Sequence, residues 1–108
     1  MCWLAGSQSA NGTGEKLVVG VATWSGHDLA LLDELNRFAE SHPDVRVCVF
    51  DVDRVNGEFE RFVPGIGEVG QTPVVGHWRG GVLVAKGMGY EGRELARGVM
   101  NQTAPAAA

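Results

Sequence analysis

Two apolar runs of strand length, joined by a single amphipathic stretch, constrain this chain more than anything else in it. Leu17-Val18-Val19-Gly20-Val21-Ala22 and Val45-Arg46-Val47-Cys48-Val49-Phe50 lack the polar alternation of a half-exposed strand, and so suit strands covered on both faces. Between them Leu31, Leu32, Leu35, Phe38 and Ala39 recur at helical spacing, which predicts a helix from Asp28 to Ser41 with one apolar face. It should stop near Ser41-His42, because the residue before Pro43 is pushed out of the α region. Strand, helix and strand in that order require a crossover, so the first two strands should be parallel.

The remainder adds a different motif. Glu58 to Val63 has the composition of a short helix, broken by Pro64-Gly65-Ile66-Gly67. Pro73 opens a strand over Val74 to Trp78, Arg79-Gly80-Gly81 makes a hairpin turn, and Val82 to Lys86 returns antiparallel. Gly87-Met88-Gly89 reads as a bend before a closing helix from Arg93 to Met100, in which Gly98 costs about 1 kcal/mol relative to alanine. The order is β-α-β-α-β-β-α: one α/β domain over residues 16–102, with a central mixed sheet flanked by helices. Residues 1–15 read as a flexible segment or an edge strand. Gly6 to Gly14 is small and polar, while Trp3 and Leu4 either dock a strand or are tag-like. Residues 103–108 read as a frayed tail.

Composition narrows the function classes. A formal charge of -4 with nine scattered basic residues argues against nucleic acid, which needs clustered Lys and Arg. No apolar stretch approaches the roughly 20 residues that span a bilayer, and the start lacks the charged and apolar regions of a secretory signal. The default expectation is therefore a cytoplasmic protein without membrane contact. Cys2 and Cys48 have no metal or redox spacing; Cys48, within an apolar run, reads as a small buried hydrophobe. A disulfide between them is open, but nothing in the sequence supports it.

The chemistry-bearing stretch is Trp24-Ser25-Gly26-His27-Asp28, where the first strand turns into the helix. Ser25 at the N-cap and Asp28 three residues later have the spacing of a capping box, with Asp28 also complementing the positive end of the helix dipole. Ser, His and Asp suggest a hydrolytic triad, but positions 1, 3 and 4 of one tight turn point in different directions. A metal site at His27 and Asp28 lacks a third ligand, since His42 falls at the far end of the helix and His77 in mid-strand. Neither a metal nor a cofactor is expected.

With Thr72-Pro73 before a strand, Gly80-Gly81 in the hairpin and Gly89 sixteen positions beyond Pro73, this corner resembles the thioredoxin family over residues 17–100. The resemblance implies a thioredoxin-like fold with a cis-proline facing the corner. It also puts Ser25 and Asp28 at the two positions where the family carries cysteines, and Val19 and Val49 where it keeps a carboxylate and a lysine. A peptide groove framed by Trp24, Thr72, Pro73 and Gly89 is a further implication. The expected function is a redox-inactive accessory, assembly or chaperone-like factor whose partner is a protein or an extended peptide. The alternative is a monothiol-type thiol–disulfide oxidoreductase using Cys48 or Cys2.

Overall fold

Along β2 (Glu15–Val21), Leu17, Val19 and Val21 pack into one apolar cluster and Val18 into another, and all four are sealed from solvent. Burial on both faces makes β2 the middle strand. The computed structural model describes residues 2–3, 14–55 and 59–102. Its sheet has the order β1 (Cys2–Trp3), β3 (Val45–Asp51), β2, β4 (Val74–Arg79) and β5 (Val82–Met88). β1, β3 and β2 are parallel, while β4 and β5 run antiparallel to their neighbours. The expected crossover helix is α1 (Gly26–Ser41), and the chain closes on α2 (Gly89–Gln102).

The two faces are covered differently. Leu31, Leu35 and Phe38 of α1 and Ala96 and Val99 of α2 all pack onto the face of Leu17, Val19 and Val21. Arg97 of α2 meets Glu34 of α1 at 3.1 Å, tying the helices to each other. On the opposite face, Val18, Cys48, Phe50 and Val74 are covered by Val55, Phe62 and Val63 with Phe59, Ile66 and Val69 beside them. There the helix expected over Glu58–Val63 is only a short 3₁₀ turn at Phe59–Arg61, and Glu58 lies outside the described residues. Pro64 disfavours an α conformation at Val63. The Glu60 carboxylate takes the Gly65 and Gly67 N–H groups at 2.7 and 2.9 Å, which folds the segment back on itself.

Phe50 is the anchor of this second face. It is fully buried and stacks on Phe62 with ring centroids 4.5 Å apart. Gly20 of β2 makes room for it, since a Cβ there would lie 2.3 Å from the Phe50 ring.

The junction of β5 and α2 differs from the expected bend and late helix start. β5 continues to Met88, and α2 begins at once at Gly89, whose φ of 63° supplies the change of direction. Gly92 lets the first helical turn press against the chain, because a Cβ there would sit 2.7 Å from the Pro73 carbonyl oxygen. Two glycines that resemble helix breakers are thus sites of close approach.

Cys48 departs from its expectation in one respect. It is 0% exposed, as a small hydrophobe should be, but it is disulfide-bonded rather than a thiol. Cys2 is the other cysteine of the sequence, and the β1–β3 register sets Cys2 opposite Cys48. Residues 4–13, with most of the glycine-rich stretch, and the tail 103–108 lie outside the described residues. No helix among those described is long and apolar enough to cross a membrane.

Candidate functional site

The end of β2 is turned by backbone hydrogen bonds. Ser25 N–H donates to the Ala22 carbonyl at 3.0 Å, and Leu29 N–H donates to the Ser25 carbonyl at 3.0 Å to begin α1. Ser25 has the extended backbone of an N-cap (φ -95°, ψ 118°), and its Oγ accepts from Asp28 N–H at a long 3.4 Å. The expected reciprocal half of a capping box is absent. Asp28 is fully buried, and its Oδ2 instead accepts from Ala22 N–H at 2.9 Å, while Oδ1 is buried with no hydrogen-bond partner among the described residues. Ser25 N–H is already committed to Ala22, which leaves the carboxylate the next orphan donor upstream. Asp28 therefore clamps the end of the strand to the first turn of the helix.

A cap bond this long should contribute little. Ser25→Ala is expected to cost about 0.5 kcal/mol, the low end for N-caps, in a urea melt. A loss above about 2 kcal/mol would show that the hydroxyl does more than cap.

The five corner residues do not converge on one point. His27 is exposed and Asp28 buried, so no hydroxyl–imidazole–carboxylate line forms. Among the described residues no three His, Cys, Asp or Glu side chains are grouped to hold a metal ion. Val19 and Val49 are register partners, both fully buried, so no titratable side chain stands at either position beneath the corner.

Trp24 is 76% exposed, so it does not support the turn from within the core. Its indole N–H donates to Asp53 Oδ2 at 3.1 Å. Asp53 is itself placed by Val52 N–H on the Val21 carbonyl (3.0 Å) and by its own N–H on Asp51 Oδ1 (3.0 Å). The indole thus forms one wall of a shallow depression of about 240 Å³, with Val52, Phe59, Val69, Gln71 and Thr72 around it. The Thr72–Pro73 peptide bond is cis, and the Pro73 carbonyl accepts from Gly89 N–H at 3.0 Å. Gln71 covers Gly89 so closely that a Cβ would lie 2.0 Å from its Oε1.

Trp24 and Thr72 accordingly share one depression, whereas Pro73 and Gly89, bonded to each other, are not among the residues that line it. Asp53, Phe59, Val69 and Gln71 were not singled out from the sequence. Asp53, Val69 and Gln71 sit on irregular backbone and Phe59 opens a one-turn 3₁₀ segment, so no periodicity marks a facing side chain. The Asp51-Val52-Asp53 end of the strand was the one available signal.

Glu60 keeps the loop bearing Val69 in shape. The Gly65 and Gly67 N–H groups hold its carboxyl below the usual carboxylate range. A lowered pKa contributes stability fully above the unfolded value and loses it as pH falls through the folded one. Amide exchange over residues 59–67, corrected for intrinsic rates, should therefore be unchanged from pH 7 down to about 5 and accelerate below about 4. Glu60→Gln should abolish that acid-specific acceleration.

No protein-family model and no curated protein matches the sequence. Solved structures do. Thioredoxin from Plasmodium falciparum superposes with a TM-score of 0.69 at 14% identity, over 96% of this chain and 100% of that one. Thioredoxin from Fasciola hepatica gives 0.68 at 18% identity, over 95% and 100%. Mitochondrial thioredoxin 3 from Saccharomyces cerevisiae gives 0.62 at 24% identity, over 82% and 79%. At these identities the similarity establishes a thioredoxin-like fold.

Proposed function

We propose that this chain binds a protein or an extended peptide at the Trp24 depression, as an accessory, assembly or chaperone-like factor, and carries out no dithiol–disulfide exchange there. The observation that carries the reading is the use made of Asp28. Its carboxylate is buried and spent on Ala22 N–H, so the position is part of the scaffold rather than a reactive group. Ser25 caps the helix beside it, and no sulfur stands at either place. What remains is recognition: an exposed indole oriented by Asp53, an apolar floor of Phe59 and Val69, and backbone ahead of Pro73. That backbone lies outside the strands and can pair with an incoming extended peptide.

An oxidoreductase on Cys48 or Cys2 requires an accessible, low-pKa thiolate. Complete burial and a disulfide at Cys48 count against it. The same disulfide bears on location. Such bonds persist in oxidising surroundings and are rare in a cytoplasm.

Two measurements test the proposal. Insulin reduction driven by a thioredoxin reductase should show no turnover above the uncatalysed rate, and robust turnover would end the reading. In a screen of extended peptides against the intact chain, Trp24→Ala should weaken the best binder about tenfold or more, as loss of an aromatic anchor does. Because Trp24 is exposed, its stability should change by less than about 0.5 kcal/mol. Unaltered peptide affinity in Trp24→Ala would place recognition elsewhere.

A further inference from the structure

At the other end of β2 from the Trp24 corner, a second and larger cavity of about 400 Å³ opens between β4, β5 and the C-terminal half of α2. Its walls are apolar, from Val84, Ala85, Leu95 and Val99, and Gly98 of α2 widens it because no side chain projects there. A Cβ at Gly98 would meet nothing within 4 Å. One buried polar side chain reaches this space. His77, 6% exposed, lines the cavity from β4 and places Nε2 2.8 Å from Glu15 Oε1.

Glu15 sets the polarity of that imidazole. Its carboxyl is held below the ordinary range, first by the hydrogen bond with His77 and then by Arg79. An ionised carboxylate only accepts, so the hydrogen in a neutral ring sits on Nε2 and Nδ1 presents a lone pair. Nδ1 has no hydrogen-bond partner among the described residues, and it is not among the polar atoms sealed from solvent. His77 thus lines the cavity as an otherwise buried side chain with one ring nitrogen left as an unused acceptor.

The surrounding charge selects what could use it. Glu94 and the Gln102 amide stand at the rim. α2 ends beside the cavity with no basic residue in its last turn, so the negative end of its dipole is uncompensated. Arg79, the one basic wall residue, contacts Glu15 at 3.4 Å. An anionic head group would confront two carboxylates and a helix C-terminus, whereas a cationic hydrogen-bond donor would find acceptors. We propose that this cavity is a binding site for a primary alkylammonium group, which donates to His77 Nδ1 and Glu94 while its alkyl stem lies along Val84, Ala85, Leu95 and Val99. A free amine and a lysine side chain share that chemistry.

The test is titration of the ¹⁵N-labelled full chain with n-butylamine hydrochloride at pH 8, read from backbone amide shifts. Saturable shifts at Ala85, Leu95 and Gly98, with a dissociation constant of about 1–10 mM and no movement at Trp24 or Gly89, are expected for a ligand this small. Sodium butyrate, of equal length and opposite charge, should bind at least about tenfold more weakly. No saturation by about 100 mM amine, or butyrate binding as well as butylamine, would overturn the proposal. Gly98→Leu, placed where a side chain has space, should keep the fold and lose at least about tenfold in affinity. Retained affinity in that variant would also overturn it. N-acetyl-lysine methylamide separates the sources: equal or tighter binding than butylamine identifies a protein side chain as the ligand, and binding of butylamine alone a small amine.

Discussion

Replacing Phe50 with alanine is expected to cost about 3–5 kcal/mol in a urea melt, a large part of what a domain of this size possesses. The ring is fully buried, stacks on Phe62 at 4.5 Å, and lies 6.4 Å from the Phe59 ring. Among the described residues this face is covered by a short 3₁₀ turn and loops rather than an α-helix, so neighbouring backbone cannot easily close over the vacancy. The effect should also reach the Trp24 depression, because Phe59 forms part of its floor. Gly20 supplies an internal control. Gly20→Ala alone should cost about 1–3 kcal/mol, since its Cβ would enter the Phe50 ring. In the Phe50→Ala background the same methyl group would enter vacated space, and its cost should fall by at least about 1 kcal/mol. Additive losses, or a Phe50→Ala loss below about 1.5 kcal/mol, would mean that the second face is held by something other than this ring.

The sheet was legible because its middle strands are apolar on both faces and the crossover helix has an unbroken stripe, both of which are local patterns. The hairpin was legible from Arg79-Gly80-Gly81, where φ is 61° at Gly80 and 82° at Gly81. What escaped depends on contacts between distant segments. Gly89 and Gly92 look alike as helix breakers, yet one is a pivot and the other a point of contact with Pro73. Glu60 carries no sign that it will collect two N–H groups from the following loop. At the corner, residue types show at once that neither Ser25 nor Asp28 carries sulfur, but whether Asp28 would cap Ser25 or clamp Ala22 is decided by how β2 enters the turn. The sequence places His77 in mid-strand and says nothing of its partner. Its bond to Glu15, 62 positions away, and its place in the wall of a cavity follow from the β2–β4 register.

The disulfide at Cys48 gives the other large expected effect, and Cys2→Ser isolates it. That change leaves Cys48 as a buried thiol packed among Val18, Phe50 and Val63, so the hydrophobic cluster is kept while the covalent link is lost. Pairing of Cys48 with the one other cysteine of the sequence, at position 2, would close a loop long enough for chain entropy alone to contribute about 4 kcal/mol. Native strain usually lowers the realised value, so a loss of about 2–4 kcal/mol is expected in denaturant melts. The same loss should appear on adding a dithiol to the native protein and should be absent when the dithiol is added to Cys2→Ser. Since β1 is only two residues long, backbone pairing to β3 is weak compensation. Amide exchange in β3 should therefore rise with the loss of the link, while β4 and β5, on the other side of β2, remain protected. If Cys2→Ser melts within about 0.5 kcal/mol of the parent chain, the N-terminal strand is not fastened through sulfur, and Cys48 contributes by burial alone.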